Sequence, residues 1–99
     1  MYRRLLAALR SFGPLRVDAV QTSINLVSTH HFGGVTVRRD YLRVGFLSDH
    51  VITDHRIVRH LVLGPKRVGH TVVLRSPNDI DRQLLGWLRR AYNLHKRNR

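Results

Sequence analysis

Hydrophobic and polar positions follow two different rhythms along this chain, and the change of rhythm marks its parts. At about 100° per residue, Tyr2, Leu5, Leu6, Leu9 and Phe12 share one face of an N-terminal helix, with Arg3, Arg4 and Arg10 opposite. Gly13-Pro14 ends that pattern, because Gly accepts a helix-terminating turn and Pro cannot extend the helix. The segment is Arg-bearing and acid-free, so a transit peptide or a surface-binding helix is an alternative to a first element packed on the domain. A secretory signal does not fit, since Arg10 interrupts the apolar core.

Beyond Pro14 the rhythm shortens to that of strands. Residues 17–22, 24–29, 35–38, 41–47, 57–63 and 71–75 are short candidate strands, from which an antiparallel sheet of about five is expected. In 41–47, Leu42, Val44 and Phe46 alternate against Tyr41, Arg43 and Gly45. Gly64-Pro65-Lys66 reads as a hairpin turn, Gly33-Gly34 as a bulge or turn, and the polar run 48–55 as a loop.

The helical period then returns. Ser76-Pro77-Asn78-Asp79 offers an N-cap hydroxyl, a Pro at the first helical position and an acid at the third. From there Ile80, Leu84, Trp87, Leu88 and Ala91 form an apolar stripe that His95 extends, while Arg82, Arg89, Arg90, Lys96 and Arg97 lie opposite. The expected architecture is one α+β domain over residues 1–99: N-terminal helix, antiparallel sheet, C-terminal helix, in two layers. Two helices cover one sheet face, which leaves the other open to solvent or a partner.

Composition narrows the classes of function. The chain has 99 residues, 42% hydrophobic and 24% charged, which is globular rather than disordered. With no Cys there is no disulfide scaffold, and no apolar run approaches the roughly 20 residues of a membrane span. The cytoplasm is the default location. Charge is the departure from the ordinary: Lys+Arg 18 against Asp+Glu 6 gives a net +12. All the acids are Asp and all but two of the bases are Arg, a skew that GC-rich coding produces as readily as selection does.

Seven histidines raise the question of metal. His30 and His31 are adjacent, so a strand sends their side chains to opposite faces, and Asp49-His50 with Asp54-His55 lacks any established ligand spacing. No metal or other cofactor is expected. There is no Glu, no Cys nucleophile and no Gly-x-Ser-x-Gly elbow, so catalysis is weakly supported and no catalytic residue is assigned. In 57–63 either Arg59 or His60 faces inward, and His70 shares a side with Val72 and Leu74. Asp81, at the margin of the helical stripe, is placed to reach back to an Arg or His on the sheet. Two readings follow. His70 and Arg56 tie elements together through Asp81 or backbone carbonyls, or Arg39, Arg56 and His70 form a cationic pocket beside Phe32 and Tyr41, suited to a phosphate, carboxylate or nucleobase.

These residues resemble one bacterial family. Phe32-Gly33-Gly34-Val35, residues 42–47, Arg56-Ile57, residues 70–74, residues 79–81 and Trp87-Leu88 through Ala91-Tyr92 together resemble domain of unknown function 5655, along nearly the whole chain. The resemblance implies a compact α+β domain with no established activity, and it marks Phe32, Arg56, His70, Asp81, Trp87 and Tyr92 as candidate positions. Relatives look acidic just before the Ala-Tyr pair, where this chain has Arg89-Arg90, so its basicity belongs to this member.

Three functions are therefore expected in competition. The first is a non-catalytic module binding an anionic partner such as nucleic acid through Arg82, Arg89, Arg90, Lys96 and Arg97, because +12 on a small domain attracts polyanions. Low aromatic content, 7%, and the lack of a nucleic-acid motif stand against it. The second is a small-molecule pocket or undescribed enzyme centred on Arg56 and His70, with Phe32, Arg39, Tyr41 and Asp81 around them. The third is an interaction domain that pairs through an exposed sheet edge as a homodimer.

Overall fold

The computed structural model of the chain describes residues 2–19, 23–27 and 31–96, with side chains as far as Leu94. Helix α1 spans Tyr2–Arg10 and is followed by six strands: β1 Arg16–Ala19, β2 Ile24–Val27, β3 His31–Val37, β4 Leu42–Ser48, β5 Ile57–Gly64 and β6 Arg67–Leu74. A 3-10 turn at Pro77–Asp79 leads into helix α2, Arg82–Lys96. The fold is α+β as the periodicity implies, with six strands in place of about five. All six form one antiparallel sheet in the order β1-β2-β3-β4-β6-β5.

Both helices lie on the same face of that sheet, because both are amphipathic and each must bury its stripe. Leu5 and Leu9 of α1 and Leu84, Leu88, Ala91 and Tyr92 of α2 close over Val35, Leu42, Val44, Val72 and Leu74. In β4 Leu42, Val44 and Phe46 are buried against the helices and Arg43 and Gly45 face the other way, as strand alternation requires, while Leu47 and Ser48 are also buried at the strand's end. The first helix is thus part of the core. No described helix is long and apolar enough to cross a membrane.

Several boundaries differ from the sequence expectation. Strand β3 begins at His31 rather than residue 35 and carries Gly33-Gly34 inside it, with a register shift opposite Leu26/Val27. That shift makes Phe32 the extra residue of a bulge, which turns its ring into the core although Gly33 beside it also faces there. Strand β6 begins at Arg67 and so includes Gly69 and His70. The anticipated helix cap at Ser76 serves only the 3-10 turn. Asp79 turns back to accept from the Arg75 and Ser76 N–H groups at 2.8 and 3.2 Å, and α2 is capped instead by Asp81, whose carboxylate accepts from Leu84 N–H at 3.0 Å.

Candidate functional site

The residues grouped from sequence into one cationic pocket occupy separate places. Phe32 is fully buried, edge-on to Tyr92 with centroids 5.5 Å apart, so its ring is closed to a ligand. Arg39 is exposed in the β3–β4 turn, and Tyr41 lies under the Arg75 guanidinium at 5.5 Å.

Arg56 points to the start of α2. Its guanidinium donates to Asp81 at 2.7 Å, to the Asp79 carbonyl at 2.7 Å and to Gln83 at 3.3 Å. Gln83 in turn donates to Asp54 at 2.9 Å, and Asp54 also accepts from Arg56 N–H at 2.9 Å. This network pins the 49–56 loop to the helix. The Leu84 N–H above all, and then Arg56, hold the Asp81 carboxyl below its ordinary range, while Arg56 N–H and Gln83 do so for Asp54. Arg56 is committed to those partners.

His70 belongs to a stack of three rings on the helix side, Trp87 on Phe46 at 5.8 Å and Phe46 on His70 at 5.2 Å. Its Nε2 accepts from Ile52 N–H at 3.0 Å, so the neutral ring carries its proton on Nδ1, a buried atom that makes no hydrogen bond of ordinary geometry. Burial, reinforced by His60 and His50 and opposed by the Val68 backbone, holds its pKa below the ordinary value of 6.5. His70 and Arg56 each anchor one part of the 49–56 loop, but they do not meet.

Ser48, Asp49 and His50 imitate a catalytic triad without its wiring. Ser48 Oγ and the Asp49 carboxylate both approach Nδ1 of His50, at 3.5 and 2.7 Å, whereas proton relay needs opposite ring nitrogens. No group of three or more metal-ligating side chains is assembled among the described residues.

A different site lies on the open sheet face. Direct cross-strand pairing sets one row across all six strands: Asp18 against Asn25, Asn25 against Gly34, Gly34 against Gly45, Gly45 against Thr71, and Thr71 against Arg59. The two glycines remove the side chains from the middle of the row, and Gly69 removes another beside Thr71. The result is a trough of about 470 Å³ that runs from Asn25 to Leu61, with Arg43 and Arg59 on its walls. Among the described residues no carboxylate lines it. Among the described residues neither arginine has a hydrogen-bond or ion-pair partner, and the Asp18 at the far end of the row is paired with Arg16 at 3.2 Å. The alternation of β4 placed Arg43 and Gly45 together on the outer face. A glycine among polar outward positions was the available signal for this site. Arg59 depends on the β5–β6 register, which no local pattern encodes.

The basic back of α2 is present in part. Arg82, Arg89 and Arg90 are exposed, with Arg89 set 5.3 Å from the Phe12 ring centroid. The Lys96 and His95 side chains, together with Arg97 and His30, lie outside the described residues.

The profile of the family described as Domain of unknown function (DUF5655) matches residues 1–95. The chain belongs to that family. Comparisons with curated proteins and with solved structures return no match. The match runs from α1 to α2 and attaches no activity to the chain. Of the candidate positions that the resemblance implied, Phe32, Trp87 and Tyr92 sit in or against the core, and Arg56 and Asp81 form the loop-to-helix tie. What the chain does must therefore be argued from its own surfaces.

Proposed function

We propose that this DUF5655 protein is a non-catalytic binding module for an anionic partner, nucleic acid in the first instance, and that the open sheet face carries the binding. One observation supports the reading above the rest: among the described residues Arg43 and Arg59 have no carboxylate partner and stand over a glycine floor. Uncommitted guanidinium groups beside a side-chain-free floor let a phosphate approach the sheet closely, with Thr36, Thr71 and Asn25 as neutral hydrogen-bonding groups. The net charge of +12 adds attraction at long range. The exposed Arg82, Arg89 and Arg90 lie on α2, behind the sheet, and serve as a secondary electrostatic surface.

The experiment is binding to single- and double-stranded DNA and RNA across a salt series. Arg43→Ala and Arg59→Ala are compared with Arg82→Ala and Arg90→Ala. Each open-face arginine that touches a phosphate contributes about one unit of salt slope, and its removal lowers the slope by that amount. Equal effects from both sets, or binding that vanishes near physiological salt with no preference among nucleic acids, reduces the charge to background.

The size of the trough favours a second reading. A volume of about 470 Å³ is that of a small-ligand site, so a single phosphate- or carboxylate-bearing molecule fits it without a polymer. A panel of such anions, scored by a thermal shift that Arg43→Ala and Arg59→Ala abolish, tests it.

A further inference from the structure

The two edges of the sheet are built differently. Strand β1, at one edge, is four residues long and carries the Arg16–Asp18 ion pair, the kind of short charged edge that discourages further pairing. Strand β5, at the other edge, is eight residues long and has Arg59 as its one Lys, Arg, Asp or Glu. Val58, Leu61, Val62 and Leu63 are each more than half exposed on it, at 58%, 54%, 61% and 52%. The apolar groups lie on both faces: Leu61 pairs with Gly69 on the trough side, and Val62 pairs with Val68 on the helix side. A strand apolar on both faces is the pattern of one buried between neighbours.

We propose that β5 pairs antiparallel with β5 of a second copy of this chain, joining two six-stranded sheets into one. Charge selects this occupant. An acidic or basic partner finds only Arg59 to meet, whereas a second β5 offers the same nearly uncharged edge. Paired residues must share a face, so the two-fold axis passes through a residue position. Register shifts between Ile57/Arg59 and Val62/Gly64 confine regular pairing to residues 59–62. An axis at Leu61 sets Leu61 against its own copy and His60 against Val62 inside that stretch. It also leaves the two Arg59 side chains four residues apart, about 13 Å along the strands, so like charges do not face each other.

Because the axis stands perpendicular to the sheet, both open faces lie on the same side. Leu61 lines the trough at its β5 end, so Leu61 of the second copy extends the wall there and the two troughs run toward one another. The anion-binding surface becomes twice as long. The pairing itself does not depend on that binding and is measured without nucleic acid.

The 99 residues contain no Cys, which makes an introduced thiol unique among them. Leu61→Cys should form a disulfide-linked dimer under mild oxidation, while Val37→Cys, at a comparably exposed site on β3, should not. Sedimentation of the unmodified chain should show a dimer whose fraction rises with concentration, and Val62→Lys should return the mass to the monomer. A chain that stays monomeric to millimolar concentration overturns the proposal. So does a dimer unaffected by Val62→Lys, since it would use another surface.

Discussion

Gly34 and Gly45 face one another directly across β3 and β4, and this pair makes the sheet centre into a trough. A Cβ at Gly45 would meet only the His70 carbonyl oxygen at 3.6 Å, an ordinary contact. Valine there suits strand geometry and leaves the fold intact, with a stability change within about 1 kcal/mol. The same side chain occupies the floor on which an anion would rest. Gly45→Val is expected to weaken anion binding at least tenfold, roughly 1.4 kcal/mol, with the melting temperature shifted by no more than about 8 °C. Undiminished binding by the folded variant moves the site off this face.

Gly33, one residue earlier, is glycine for a different reason. A Cβ there would lie 2.5 Å from the Gly45 carbonyl oxygen, which is rigid strand backbone and cannot give way cheaply. Gly33→Ala should therefore destabilise the protein by about 1–3 kcal/mol, in the range of other overpacked positions. A urea titration that leaves the midpoint unmoved contradicts the close approach of β3 and β4.

Asp81 performs two tasks, capping α2 through Leu84 N–H and accepting from Arg56. Asp81→Ala removes both and should cost about 0.5–2 kcal/mol, mainly as a lost cap. Asp81→Asn keeps a capping oxygen and gives up only the charge. As the carboxylate is half exposed, the ion pair itself contributes no more than about 1 kcal/mol and Asn should recover most of the loss. Folded-state pKa values of Asp81 and Asp54 below 3.8 add stability above that pH, which is lost as pH falls below it. Chemical denaturation of both variants between neutral pH and pH 3 tests these effects together.

What the sequence disclosed and what it withheld follow the range of the forces involved. Both amphipathic helices and the alternation of β4 rest on neighbours a few residues away, and their faces were legible from period alone. Ser76-Pro77 satisfied every local rule for a helix start. Asp79 folded back onto Arg75 and Ser76 instead, and the cap passed to Asp81, whose carboxylate also meets Arg56, 25 residues away. Phe32 was grouped with a polar pocket although Gly33-Gly34 marked a bulge or turn beside it, because the glycines do not say which residue is the extra one or to which face it turns. The tie between Arg56 and Asp81 was anticipated as one of two readings. The alignment of Arg59 with Thr71 and Gly45 was not, since register across three strands is set by packing on the far side of the sheet.

The Ile52 N–H reaches only the His70 ring, and this bond couples the fold to pH. Burial keeps the folded-state pKa of His70 below 6.5, so as pH falls through that value the unfolded chain takes up a proton first. This histidine's contribution to stability is therefore complete above pH 6.5 and declines below it, until the folded-state pKa is reached. His70→Phe keeps an aromatic ring on Phe46 but leaves the Ile52 N–H without an acceptor. It should cost about 1–3 kcal/mol at neutral pH and flatten the decline below pH 6.5. Anion binding by the folded fraction should be unchanged, because the ring stacks on the helix side and Arg43 and Arg59 stand on the other. Urea midpoints of both proteins between pH 5 and pH 8 separate these outcomes: a decline that persists in the Phe variant belongs to another group, and a specific loss of binding makes His70 part of the site.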